Sequence, residues 1–138
     1  MQLNLSTDYA LRSLIMLNGQ EQGVSSHDIS KHIGIEREFT LKILRQLKQG
    51  GFVKASRGKT GGYMLSKPLH EISLFQVLNH MEDSMYINRC LEPDHRCNRA
   101  DLAQDCHAHR FYVAFQNKLE EVLSNISLQD VINDSYSL

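Results

Sequence analysis

Two runs of strand-forming residues, Phe52-Val53-Lys54-Ala55-Ser56 and Tyr63-Met64-Leu65-Ser66, enclose the tip Arg57-Gly58-Lys59-Thr60-Gly61-Gly62. No other segment narrows the possible folds of this chain as much. Glycine supplies the backbone conformations that a tight reversal needs, so the segment reads as a β-hairpin with a basic tip. An isolated hairpin is at best marginally stable in water, so it has to lie on a larger body. The residues before it supply that body. Ser6, Thr7 and Asp8 precede Tyr9, Leu11, Leu14, Ile15 and Leu17, a helical pattern closing near Gly19. Ser25 and Ser26 offer a cap for a second helix carrying Ile29 and Ile33, which Gly34 stops. Residues 36–49 then resume helical spacing with Phe39, Ile43, Leu44 and Leu47 apolar, until Gly50-Gly51 ends them. Two helices joined by a tight turn and followed by a hairpin make a winged helix-turn-helix, whose second helix enters the major groove of DNA.

Charge follows the same division. The whole chain carries a net charge of -1, which does not mark a protein that coats nucleic acid. Residues 1–67, however, hold ten basic and five acidic side chains, whereas residues 68–138 hold five basic and eleven acidic ones. We therefore expect a DNA-binding region over 1–67 and a sensor and dimerisation region over 68–138, within one compact domain. A length of 138 residues leaves no room for a large two-domain enzyme. The opening MQLNLSTDYALRSLIML lacks a basic leader, and Asp8 and Arg12 interrupt its apolar residues. It reads as neither signal peptide nor membrane span, which points to a cytoplasmic protein.

Glu38, Lys42, Arg45 and Gln49 form one polar stripe on the helix over 36–49. With Arg37, and with Arg57 and Lys59 at the hairpin tip, the stripe offers the positive charge that phosphate contacts require. Glu36, Glu38 and Thr40 stand where base edges would be read, a glutamate accepting from cytosine N4. Both glutamates equally suit the positive end of the helix dipole.

After a helix capped by Ser73 and built on Leu74, Phe75, Val77, Leu78 and Met81, residues 84–106 lose all periodicity. Such a long irregular stretch in a compact domain is usually functional or disordered. It carries all three cysteines, Cys90, Cys97 and Cys106, an odd number that disfavours a disulfide framework. Thiolates suit iron-sulfur clusters and zinc, and three of them leave a fourth position for oxygen or nitrogen. A reversible disulfide is the metal-free alternative. By residue type alone Asp8 at a helix start, and His107 and His109 on a helix surface, have ordinary structural roles, and His95 beside the loop is a weak candidate donor. From about residue 107 to 125, Phe111, Phe115, Leu119 and Val122, continued by Ile126, form an apolar stripe on a long C-terminal helix suited to packing on its own copy. Ser127 opens a last short helix with Leu128, Val131 and Ile132. Catalysis by Cys106 with a neighbouring histidine is disfavoured, because adjacent helical residues point about 100° apart. We expect no enzyme.

The segments Thr7-Asp8-Tyr9-Ala10-Leu11-Arg12, Lys42-Ile43-Leu44-Arg45-Gln46-Leu47, Gly50-Gly51-Phe52-Val53 and Arg57-Gly58-Lys59-Thr60-Gly61-Gly62-Tyr63-Met64-Leu65 together resemble the bacterial family of small winged-helix regulators typified by the iron-sulfur regulator IscR and the nitric-oxide-sensing repressor NsrR. The likeness spans essentially the whole chain and leans toward the second type. It implies a mainly α fold with a small β-hairpin, and a homodimer that binds a double-stranded, pseudo-palindromic operator, most simply as a repressor. It further implies an iron-sulfur cluster, 2Fe-2S or 4Fe-4S, held by Cys90, Cys97 and Cys106 and answering to nitric oxide, an oxidant or iron status. The remaining ligand would be Asp8 from the other subunit in one branch of the family, and His107 or His109 in the other. Six residues separate Cys90 from Cys97 and eight separate Cys97 from Cys106, a wider second interval than the family pattern.

Overall fold

A computed structural model of the chain describes residues 2–94, 97–98 and 105–138. Helix α1 (Leu5–Met16) lies across α2 (Ser26–Ile33) and α3 (Arg37–Gln49), and the hairpin of β1 (Val53–Ser56) and β2 (Gly62–Leu65) follows. A 3-10 turn (Leu69–Glu71) leads into α4 (Leu74–Met81), a second one (Arg89–Leu91) lies in the cysteine segment, and α5 (His107–Asn125) and α6 (Leu128–Ile132) complete the chain. This is the mainly helical winged fold that the sequence led us to expect.

The core forms where the apolar stripes meet. Ala10, Leu14 and Leu17 pack with Ile29 and Ile33, with Ile43, Leu44 and Leu47, and with Phe52, Val53, Leu69, Ile72, Val77 and Met81. Burying each large aliphatic side chain is worth about 1.5–3 kcal/mol, so this shared interior fixes how α3 sits against α1 and α4. Gly34 makes the turn between α2 and α3 at φ 75°, where a side chain would be strained. β1 pairs with β2 in antiparallel register, Val53 opposite Leu65 and Ser56 opposite Gly62. A bridge from Val24 to Tyr63, with bonds of 2.9 and 2.8 Å, and the Gly23 N–H donating to the Thr60 carbonyl at 3.2 Å tie the hairpin to the chain ahead of α2. Gly62, at φ 136°, makes that approach possible, since a Cβ there would stand 2.6 Å from the Val24 oxygen.

The start of α1 differs from expectation. Ser6, Thr7 and Asp8 are not its caps, because the helix begins at Leu5 with Asn4 in the cap position and no side-chain capping bond of its own. The acceptor comes instead from the far end of α4. The Glu82 carboxylate accepts from the Asn4 amide at 2.9 Å, from Asn4 Nδ2 at 2.8 Å, and from the hydroxyl of the buried Thr7. A charged acceptor at the positive end of α1 satisfies both the unpaired donors and the dipole.

The C-terminal end returns to this body. Ser73 and Ser127 each form a capping box, with Gln76 and Asp130 respectively. The two helix starts lie side by side, Leu74 N–H donating to Ile126 at 2.9 Å and Leu128 N–H to Ile72 at 2.8 Å. Leu128 is thereby drawn fully into the core. Along α5 the expected apolar stripe divides. Its C-terminal part packs at home, Ile126 being buried, whereas Phe111 and Phe115, stacked at 6.0 Å, remain 62% and 44% exposed. Gln116 is the one side chain of α5 that is buried among the described residues.

Candidate nucleic-acid interface and cysteine loop

Helix α3 is amphipathic at a 3.6-residue period, and this decides which of its side chains can meet a ligand. Thr40, Ile43, Leu44 and Leu47 face the core. Arg37, Glu38, Lys42, Arg45 and Gln49 are exposed on the other side, as are Arg57 and Lys59 at the hairpin tip. Arg37 is steadied by its Nε, 3.2 Å from the Ser26 hydroxyl at the start of α2. Thr40 is a correction: it is 0% exposed, and its hydroxyl donates to the Glu36 carbonyl at 3.1 Å, so it is a core residue without access to a base edge. Glu36 occupies the N-cap position of α3 and makes no side-chain cap bond, which leaves its exposed carboxylate facing outward. Lys54, exposed on β1, adds a cation that the sequence reading counted but did not assign to the interface. Its signal was available, since period-two alternation sets Lys54 opposite in face to the buried Val53.

No helix of the chain is long and apolar enough to cross a membrane among the described residues.

The cysteines occupy three settings. Cys90 is half-buried in the second 3-10 turn, its amide donating to Asn88 Oδ1 at 3.0 Å. Cys97 is exposed. Cys106, half-buried, takes the N-cap position of α5 in extended conformation. The turn carrying Cys90 packs on the helix that Cys106 opens. Among the described residues, no three His, Cys, Asp or Glu side chains converge in a way that would hold a metal ion. In donor chemistry three thiols suit an iron-sulfur cluster or zinc.

Two of the remaining donor candidates, Asp8 and His107, have partners within their own helices. Asp8 lies in the first turn of α1 and pairs with Arg12 at 2.9 Å, both side chains being largely open to solvent. His107 is exposed, with Arg110 Nη2 2.8 Å from its Nδ1. A guanidinium only donates, so that ring nitrogen accepts and a neutral His107 carries its proton on Nε2. His109 is half-buried on the same helix. His95 lies outside the described residues.

Comparison with known proteins places this architecture. The chain is similar to CymR of B. subtilis, titled the global cysteine regulator of that organism, at 20% identity over 97% of this chain and 98% of that one, with a TM-score of 0.75. It resembles T. potens IscR at 20% identity over 98% of this chain and 88% of that one, TM-score 0.73. A transcriptional regulator assigned in Listeria innocua superposes with a TM-score of 0.80 at 19% identity, covering 99% and 90%. At these identities the three structures bear on the fold. The family model described as Rrf2, iron-dependent transcriptional regulator, matches residues 3–134. Regulators of this family bind DNA, generally as dimers, and are not enzymes. With its wing, its exposed basic helix and this match over nearly its full length, the chain belongs to the Rrf2 family of transcriptional regulators.

Proposed function

We propose that this protein is a homodimeric, operator-binding repressor whose DNA affinity is set by an iron-sulfur cluster on Cys90, Cys97 and Cys106, responding to nitric oxide, an oxidant or iron status. The observation that carries the DNA-binding part is the basic surface formed by the exposed face of α3 and the hairpin tip. Lys42 and Arg45 would follow the groove, Glu38 would accept from a base amine, and Arg57 and Lys59 would hold the flanking phosphates. The exposed Phe111 and Phe115 support pairing of α5 with its copy, which would set the two α3 helices about one helical turn of DNA apart.

A cluster bound by the three thiols would supply a centre that reacts with small oxidants and nitric oxide. The chain's part would be to hold it at one thiol from the 3-10 turn, one from the start of α5 and one from the segment between. Asp8 or His109 would complete the set. His107 is the least suited donor, because its Nδ1 already accepts from Arg110. Three thiols with nitrogen donors nearby also support a second reading, in which the cysteines take zinc or act as a reversible thiol switch without changing the DNA-binding surface.

The test is a shift assay with the promoter region upstream of the protein's own gene, using protein purified without oxygen, before and after exposure to nitric oxide. Binding that changes on exposure, and no longer changes in Cys97→Ala, supports the reading. Binding indifferent to both treatments would replace it with a regulator whose signal enters elsewhere.

A further inference from the structure

We propose that Gln116 is a latch that couples the cysteine loop to the long helix α5; the functional side of this inference rests on the cysteines being the sensing site. Gln116 Oε1 accepts the Ile87 amide at 3.0 Å, and its Nε2 donates to the Met85 carbonyl at 3.1 Å. Both groups belong to the short segment between α4 and the second 3-10 turn. The side-chain amide therefore holds both at once, accepting from one residue and donating to the other. Nε2 also donates to Glu120 Oε1 at 2.8 Å, one turn further along α5, which fixes which way the amide points. Gln116 is 5% exposed, so its amide would be left unsatisfied if the segment moved away without a substitute.

What this amide holds is the root of the loop. One residue beyond Ile87, the side chain of Asn88 caps the 3-10 turn and accepts the Cys90 amide at 3.0 Å. At its other end the loop rejoins α5 at Cys106, its N-cap. Ten residues of α-helix rise about 15 Å, so the loop is pinned at two points on one rigid rod, and Cys90 stands next to one of them. The root is also tied in the opposite direction. Glu82, five residues before Ile87, holds Asn4 and Thr7 at the start of α1, the helix that packs on α3. Residues 82–87 thus bridge the DNA-binding body and the long helix, and Gln116 is the side chain through which a change at Cys90 reaches α5.

Hydrogen exchange of the full-length protein, reduced or alkylated with iodoacetamide, tests this. In the native chain, alkylation should alter exchange at Ile87 and along α5. In Gln116→Met, of similar length but without the amide, Ile87 should exchange about tenfold faster before any alkylation. The α5 response to alkylation should then disappear while Leu44 and Leu47 keep their protection. Glu120→Gln leaves both bonds from Gln116 to residues 85 and 87 in place and should keep Ile87 near its native rate. Native exchange at Ile87 in Gln116→Met, an α5 response that survives in it, or none in the native chain would each overturn the latch. Promoter DNA affinity measured on the same samples separates the two claims, since affinity unmoved by alkylation would count against the sensing site and leave the exchange result as evidence on the latch.

Discussion

Glu82 can be removed and its consequence worked out from its three partners. In Glu82→Ala, both Asn4 groups lie at the surface and exchange their bonds for water at little cost. Thr7 has no such recourse, since it is 0% exposed and its hydroxyl donates to the carboxylate. Leaving a buried hydroxyl unsatisfied costs about 1–3 kcal/mol. Loss of a negative charge at the start of α1 adds about 0.3–1 kcal/mol. The expected destabilisation is about 1–4 kcal/mol. At a urea slope of about 2 kcal/mol per molar, the unfolding midpoint should fall by about 0.5–2 M, measured at fixed protein concentration because a dimer's stability depends on it. Thr7→Val removes the hydroxyl that needs the carboxylate. In that background Glu82→Ala should therefore cost only about 1 kcal/mol, giving a coupling of about 1–3 kcal/mol in a double-mutant cycle. Equal costs in both backgrounds would refute the claim that Glu82 acts through Thr7.

Arg57→Ala and Lys59→Ala should each weaken binding to promoter and unrelated DNA alike and lower the salt slope by about 1, as read by fluorescence anisotropy between low and physiological salt. Thr40→Ala should lower stability by about 1 kcal/mol and leave that salt slope unchanged, since its hydroxyl is spent on the Glu36 carbonyl. The hydroxyl and then the amide of Ser127 hold Asp130 below the ordinary aspartate value of 3.8. A depressed folded value means that its contribution is present above the unfolded value and is lost as pH falls through the folded one. Amide exchange in α6 should accordingly quicken below pH 3.8, and Asp130→Asn should remove that dependence.

Where structure depends on neighbours in sequence, it was legible. The hairpin, the bounds of α5 and the caps at Ser25, Ser73 and Ser127 follow from local spacing and residue type, and the structure has them there. Thr40 was misassigned by its chemistry, although its position three and four residues before Ile43 and Leu44 sets it on the buried stripe. Asn4 as the cap of α1 was out of reach, because its acceptor arrives from 78 residues away. The Val24–Tyr63 bridge is a single residue pair and leaves no run of strand-forming residues to read. Gln116 hid for a different reason: a polar residue amid an aromatic stripe reads as surface until the backbone of Met85 and Ile87 is set against it. For the cysteines, residue type points to metal or thiol chemistry without choosing between them, and spacing alone does not place the three thiols relative to one another.

The most direct measurement is the iron, zinc and acid-labile sulfide content per chain of protein purified without oxygen or added metal, alongside Cys97→Ala prepared in the same way. The native protein should hold iron with matching sulfide and the variant should lose both, with the helical spectrum and dimer retained. Zinc alone, or no metal after attempted reconstitution, would contradict a cluster-controlled regulator and leave a winged-helix DNA binder whose thiols serve another purpose.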